Sequence, residues 1–190
     1  MNKEFAKDIS ECLTTLEKGG TILYPTDTVW GLGCDPTNEN AVNKIIQIKE
    51  RPANKSFIVL VNSLDMLQHY VSVIDEKIIH FLSLNTKPTT VIYPSAIGFA
   101  SSVYAADGSV AIRICKDEFC NELIKQIKKP LLSTSANISG EPTPRIFKEI
   151  KQSIAQKADY TVYYRKEDDT LASPSSIIRW VNNEIITIRK

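Results

Sequence analysis

The sequence predicts an α/β fold: one domain built on a mixed β-sheet with helices against it. Three observations carry this expectation. Short, β-branched apolar runs (TILYP, SFIVLV, TTVIYP, SVAIRIC, PLLSTSA) recur along the chain. Stretches with apolar residues at helical spacing alternate with them. No repeat, low-complexity run or linker divides the 190 residues, a length that suits one core and is short for two.

Each element follows in order. Phe5, Ile9, Cys12, Leu13 and Leu16 recur at helical spacing, and Gly19-Gly20 supplies a stop. TILYP (21–25) reads as a strand closed by Pro25. YPTDTVWGLGCDP (24–36) then reads as a polar connection to a second helix, capped by Asn38. That helix carries Ala41, Val42, Ile45, Ile46 and Ile48 on one stripe and stops near Lys49-Glu50-Arg51-Pro52.

SFIVLV (56–61) is a strand covered on both faces. Helical segments follow over 64–70 and 75–84, then strands over TTVIYP (89–94) and SVAIRIC (109–115). DEFCNELIKQIKK (117–129) reads as a helix, PLLSTSA (130–136) as a strand running into a polar loop, and PRIFKEIKQSI (144–154) as a helix. DYTVYY, SSIIRWV and EIITIR read as three closely spaced strands.

Composition narrows the function classes. With 23 basic and 22 acidic residues the net charge is +1, so no strongly basic footprint covers the whole molecule. Cys12, Cys34, Cys115 and Cys120 form no C-x-x-C pair and no zinc-ligand spacing, which predicts free thiols. No apolar run approaches the ~20 residues of a membrane helix, and the first 20 residues contain no signal-peptide core. The expectation is a soluble, cytoplasmic protein with no membrane partner.

Polar clusters fall where strands run out into loops, at 24–36, 133–143 and 173–176, the place where open α/β sheets bind ligands. The segment KERPANK (49–55) groups Lys49, Arg51 and Lys55. Two readings stand there: a phosphate grip, or cations complementing a helix C-terminus. LLSTSANISGEPTP (131–144) offers Ser133, Thr134, Ser135, Asn137 and Ser139 ahead of Gly140, a donor-rich cradle or simply a turn and cap.

Neither a Walker A motif nor G-x-G-x-x-G occurs. His69 and His80 fall within helical segments and no G-x-S-x-G elbow accompanies them, so a serine hydrolase is a poor reading. Arg113 interrupts an apolar strand and needs an anion, whether a structural carboxylate or a substrate. Arg189 reads by itself as part of a solvated tail.

Taken jointly, these stretches resemble the threonylcarbamoyl-AMP synthase family, the YrdC-type domain in its short single-domain form. YPTDTVWGLGCDP resembles that family's YPT-[DE]-T-x-[YF]-GLG segment. IIQIKERPANKSFIVLV resembles its K-x-R-P strand entry, SVAIR its strand-borne arginine, STSANISGEPTP its S-x-S-A-N-x-S-G loop and SPSSII its late Ser-Thr strand. The order and rough spacing agree over nearly the whole chain. Trp30 stands where Tyr or Phe is usual, Ser56 replaces a common proline, Leu60 occupies a position that is histidine in some members, and SPSS replaces an E-S-T form.

The resemblance implies a twisted mixed sheet with flanking helices and a concave active-site groove. It implies that L-threonine, bicarbonate and ATP are converted to threonylcarbamoyl-AMP and pyrophosphate, with Mg²⁺ on the phosphates and no metal ligand from a side chain. The product feeds threonylcarbamoyl modification of adenosine 37 in tRNA, which implies a downstream transferase complex and a weak tRNA contact. Catalysis would rest on positioning and charge neutralisation by Lys49, Arg51, Ser135 and Asn137. Threonine would meet Thr26 or Thr28, Arg113, Ser133 and Ser175, the last with its register against Ser176 open. ATP would meet Lys49, Arg51, Ser109, Ser135, Thr143 and Arg189. Other readings are a double-stranded RNA-binding module and a carbamoyl-adenylate-forming enzyme.

Overall fold

The computed structural model describes residues 2–52, 57–181 and 184–190. Lys55 and Ser56 lie outside the described residues.

Helix α1 (Ala6–Glu17) buries Ile9, Cys12 and Leu16, the apolar stripe of the sequence. Helix α2 (Glu39–Lys49) starts on Asn38, whose side chain accepts the Ala41 N–H, and ends on Glu50 in the left-handed region. Helices α3 (Leu64–Tyr70), α4 (Glu76–Leu84) and α5 (Glu118–Ile127) begin on Ser63, Asp75 and Asp117, each side chain accepting a first-turn amide.

The strands are β1 (Ile22–Tyr24), β2 (Gly31–Cys34), β3 (Ile58–Val61), β4 (Thr89–Tyr93), β5 (Val110–Ile114), β6 (Leu131–Ser135), β7 (Tyr160–Thr161), β8 (Ser176–Val181) and β9 (Glu184–Arg189). They form a mixed sheet in the order β7-β1-β2-β6-β3-β5-β4-β8-β9.

Register turns this sheet into a floor with two different sides. Cys34, Leu132, Val59, Ile112, Val91 and Ile178 are successive partners across six strands and are all buried. One residue along, on the opposite face, the partners are Gly33, Ser133, Ile58, Ala111 and Ile92. Four of these, Ser133, Ile58, Ala111 and Ile92, line the groove described below.

Three sequence expectations change. Gly31–Cys34 is not loop but strand β2, paired antiparallel with β1. Glycine is required here by space. The Tyr24 ring lies across this hairpin, so a Cβ on Gly33 would sit 2.8 Å from the ring and 2.4 Å from the Leu132 carbonyl oxygen. The glycines therefore admit a tyrosine and a neighbouring strand.

The helix expected over 144–154 is instead a 3₁₀ turn, Phe147–Glu149, followed by helix α6 (Gln152–Lys157). Phe147 packs on Trp30 with ring centroids 4.7 Å apart, and the Glu149 carboxylate accepts the Arg145 N–H at 2.7 Å. The three tail strands also separate. β7 joins β1 at one edge, while β8 and β9 form the other.

Candidate functional site

The hairpin turn between β1 and β2 is held by one side chain. The Thr26 hydroxyl lies 2.9 Å from the Val29 carbonyl oxygen and from the Thr28 hydroxyl, and accepts the Thr28 N–H at 3.0 Å. Thr26 is thus buried and spent on the turn, and this presents Thr28 and Trp30 to a groove of about 360 Å³. Thr28, Arg51, Arg113, Ser133, Ser135 and Thr143 line that groove, with Ser175 and Arg189 on its far side.

Three guanidiniums and no carboxylate are therefore among the lining residues. Arg113 is buried and donates from Nη1 to Asp27, while Nη2 lies 3.4 Å from the Thr28 hydroxyl. Its buried Nε has no partner. Burial alone would lower the Arg113 pKa, and the Asp27 carboxylate, together with Cys115 and Cys120, raises it on balance. Arg189 donates to the Ser175 carbonyl oxygen at 2.9 Å, and burial together with the nearby Arg113 lowers its pKa. Arg51 stacks over Phe57 at 4.5 Å, with its pKa lowered by burial.

Not every expected residue reaches the groove. Lys49 is fully buried under the loop after β6, and its ammonium donates to the carbonyl oxygens of Ser135 at 2.5 Å and Asn137 at 2.6 Å. Its own carbonyl accepts the Ser139 N–H at 2.8 Å, so the end of α2 and the 135–139 loop are stitched together. Burial, aided by Arg51, pushes the Lys49 pKa down to about 7.

Asn137 is likewise turned inward. It donates to the carbonyl oxygens of Ile138 and Glu141 and accepts the Ser135 hydroxyl. Ser109 is bound instead to Asp107 at 2.6 Å and lies 3.2 Å from Arg179, outside the groove lining. At 175–176 the geometry separates the two serines. Ser175 lines the groove and meets Thr90 at 2.8 Å, while Ser176 turns to Thr89.

Sequence reasoning missed Asp27 as the partner of Arg113. The acid was visible in YPTDT, but nothing local links it to a residue 86 positions away. Asp27 also accepts the Cys115 thiol at 3.3 Å. Behind the turn a second cavity of about 360 Å³ shares Thr28 and Trp30 with the first and is bounded by Arg145, Arg165, Asp168 and Leu171.

A family model described as "Telomere recombination", covering Sua5, YciO and YrdC, matches residues 14–190. The chain belongs to the Sua5/YciO/YrdC family. It is 32% identical over 181 residues to the threonylcarbamoyl-AMP synthase of Idiomarina loihiensis, covering 94% of this chain and 96% of that protein. The protein of that name from Xanthomonas campestris is 38% identical over 141 residues, 73% of this chain and 75% of that one.

Among solved structures, P. abyssi Sua5 complexed with L-threonine superposes with a TM-score of 0.83 at 24% identity. All of this chain is covered, but it spans only 55% of that longer one. E. coli YciO gives a TM-score of 0.83 at 21% identity, with 97% and 89% of the two chains covered. These two likenesses establish the fold.

Proposed function

We propose that the chain is an L-threonylcarbamoyladenylate synthase acting in tRNA modification. One observation carries the reading: a hydroxyl-lined groove presents Arg51, Arg113 and Arg189 with no carboxylate among the described residues of its lining. Such a surface suits a triphosphate and a substrate carboxylate together. The names of the curated relatives support the same activity.

In this reading the threonine carboxylate meets the side of Arg113 not held by Asp27, and its polar side chain meets Thr28, Ser133 and Ser175. ATP lies along Arg51, Ser135, Thr143 and Arg189. The threonine amine attacks the bicarbonate carbon, forming the N–C bond with loss of water. A carbamate oxygen then attacks the α-phosphorus, the bond to the β-phosphate oxygen breaks, and pyrophosphate leaves. No covalent enzyme intermediate is needed, so orientation and charge neutralisation supply the catalysis.

Lys49 and Asn137 act by shaping the loop that carries Ser135, and Ser109 has no direct part. Among the described residues no cluster of His, Cys, Asp or Glu could hold a metal ion. Mg²⁺ carried on the ATP phosphates would neutralise charge on the leaving pyrophosphate. No helix among the described residues is long and apolar enough to cross a membrane, and all four cysteines are free and buried. A cytoplasmic setting and delivery of the product to a downstream transferase complex on tRNA complete the proposal.

The test is pyrophosphate release from ATP. Release that requires both L-threonine and bicarbonate is expected. Release indifferent to threonine overturns the synthase reading in favour of a carbamoyl-adenylate enzyme.

A further inference from the structure

Two cavities flank the turn between β1 and β2, and the Asp27–Arg113 ion pair is divided between them. Arg113 lines the groove, whereas Asp27 lines the second cavity. The proposed function places ATP and threonine in the groove and assigns no substrate to the second cavity. Four charged side chains border that cavity: Asp27, Arg145, Arg165 and Asp168. Two of them are already matched, Asp27 by Arg113 and Arg165 by the buried Asp117 at 2.7 Å.

The other two are open. Arg145 donates from Nε to the Ala172 carbonyl oxygen at 3.3 Å, and its terminal nitrogens meet no acceptor among the described residues. Asp168 accepts the Thr170 N–H at 2.9 Å on one oxygen, and its other oxygen meets no donor among them. Hydrogen bonds from Thr170 lower the Asp168 pKa, so this carboxylate is ionised and only accepts. Arg145 and Asp168 thus border one cavity with opposite charges and do not pair with each other. Both are exposed, so a solute reaches them from outside.

We propose that the second cavity receives bicarbonate, an inference that rests on the synthase activity proposed above. Bicarbonate is a planar anion whose two unprotonated oxygens suit the Arg145 fork, while its one O–H donates to a carboxylate such as Asp168. An open cation beside an open acceptor favours that combination over an anion with no proton to give. The cavity meets the groove at Thr28 and Trp30, and Thr28 is where threonine is placed. Bicarbonate therefore enters without crossing the bed of the nucleotide and waits beside the amine. The amine lone pair forms the N–C bond, the C–OH bond breaks, and the hydroxide leaves as water with a proton from nitrogen.

The test uses isotope-labelled bicarbonate and the full chain. Without ATP or threonine, the carbon resonance should broaden on addition of wild type. Arg145→Gln and Asp168→Ala, each with its thermal midpoint checked, should cut that broadening at least about fivefold. In pyrophosphate release, both should raise KM for bicarbonate about tenfold and leave KM for threonine and for ATP within about twofold. Broadening and bicarbonate KM that neither variant moves overturn the proposal, and the synthase reading survives if wild-type release still needs threonine and bicarbonate. Equal rises in all three KM values also overturn it, since Arg145 and Asp168 would then only support the loop they sit on. Wild-type release indifferent to threonine, with broadening lost in Arg145→Gln, keeps the bicarbonate site and fails the synthase reading instead.

Discussion

Asp27 and Arg113, 86 positions apart, form an ion pair beside the groove, with side chains only 14% and 4% exposed. The pair leaves Arg113 Nε unbonded and turns the rest of the guanidinium toward the groove. Asp27 is thus a positioning residue. Removing it strands a buried cation, so Asp27→Ala should cost about 3 kcal/mol in denaturant unfolding. Asp27→Asn keeps the shape and should raise KM for threonine roughly tenfold, a loss of about 1.4 kcal/mol, with a smaller change in kcat. Equal falls in kcat and kcat/KM with KM unmoved would contradict this role.

The two threonines of the turn should behave differently. Thr26→Val removes the hydroxyl that holds Val29 and Thr28, and should lower stability by about 2 kcal/mol. Thr28→Val should stay within about 1 kcal/mol of wild type in stability while weakening threonine binding about tenfold. Thermal melts and calorimetric titration with threonine separate the two.

Lys49 should leave a mark on pH dependence. Its folded pKa is lowered to about 7, whereas an unfolded lysine holds its proton to about 10.4. Between those values the unfolded chain binds more protons, so stability attributable to Lys49 rises with pH across that window and levels off on either side. The slope is at most about 1.4 kcal/mol per pH unit. Urea midpoints of wild type minus Lys49→Met, measured from pH 6 to 10, check it; a difference that falls with rising pH contradicts the argument.

Gly33→Ala should be among the most damaging single-methyl changes, at about 3 kcal/mol. The added carbon meets a backbone oxygen at 2.4 Å, which no rotamer change can relieve. Circular-dichroism melting measures it, and a midpoint unchanged from wild type would rule the contact out.

What the sequence made legible was local. The cap at Asn38 and the stripes of α1 and α2 are written in adjacent residues, so those elements stand where periodicity places them. His69 lies on a helix as expected, its Nδ1 on the Asp65 carbonyl oxygen. What escaped is non-local. Strand β2 hides behind two glycines, residues depleted in strands, and exists because Tyr24 and Leu132 leave no room for a side chain. The family motifs gathered eight candidate residues onto one groove, but could not tell a side chain facing the groove from one turned inward. Lys49 and Asn137 sit in the motif and spend their polar groups on loop carbonyls instead.

Trp30 borders both cavities and leans on Phe147. The indole is thus a septum between two rooms, and its size sets whether they communicate. A smaller ring at this position would open a doorway between them without moving a strand. Capacity for bulkier guests is therefore tunable at one position.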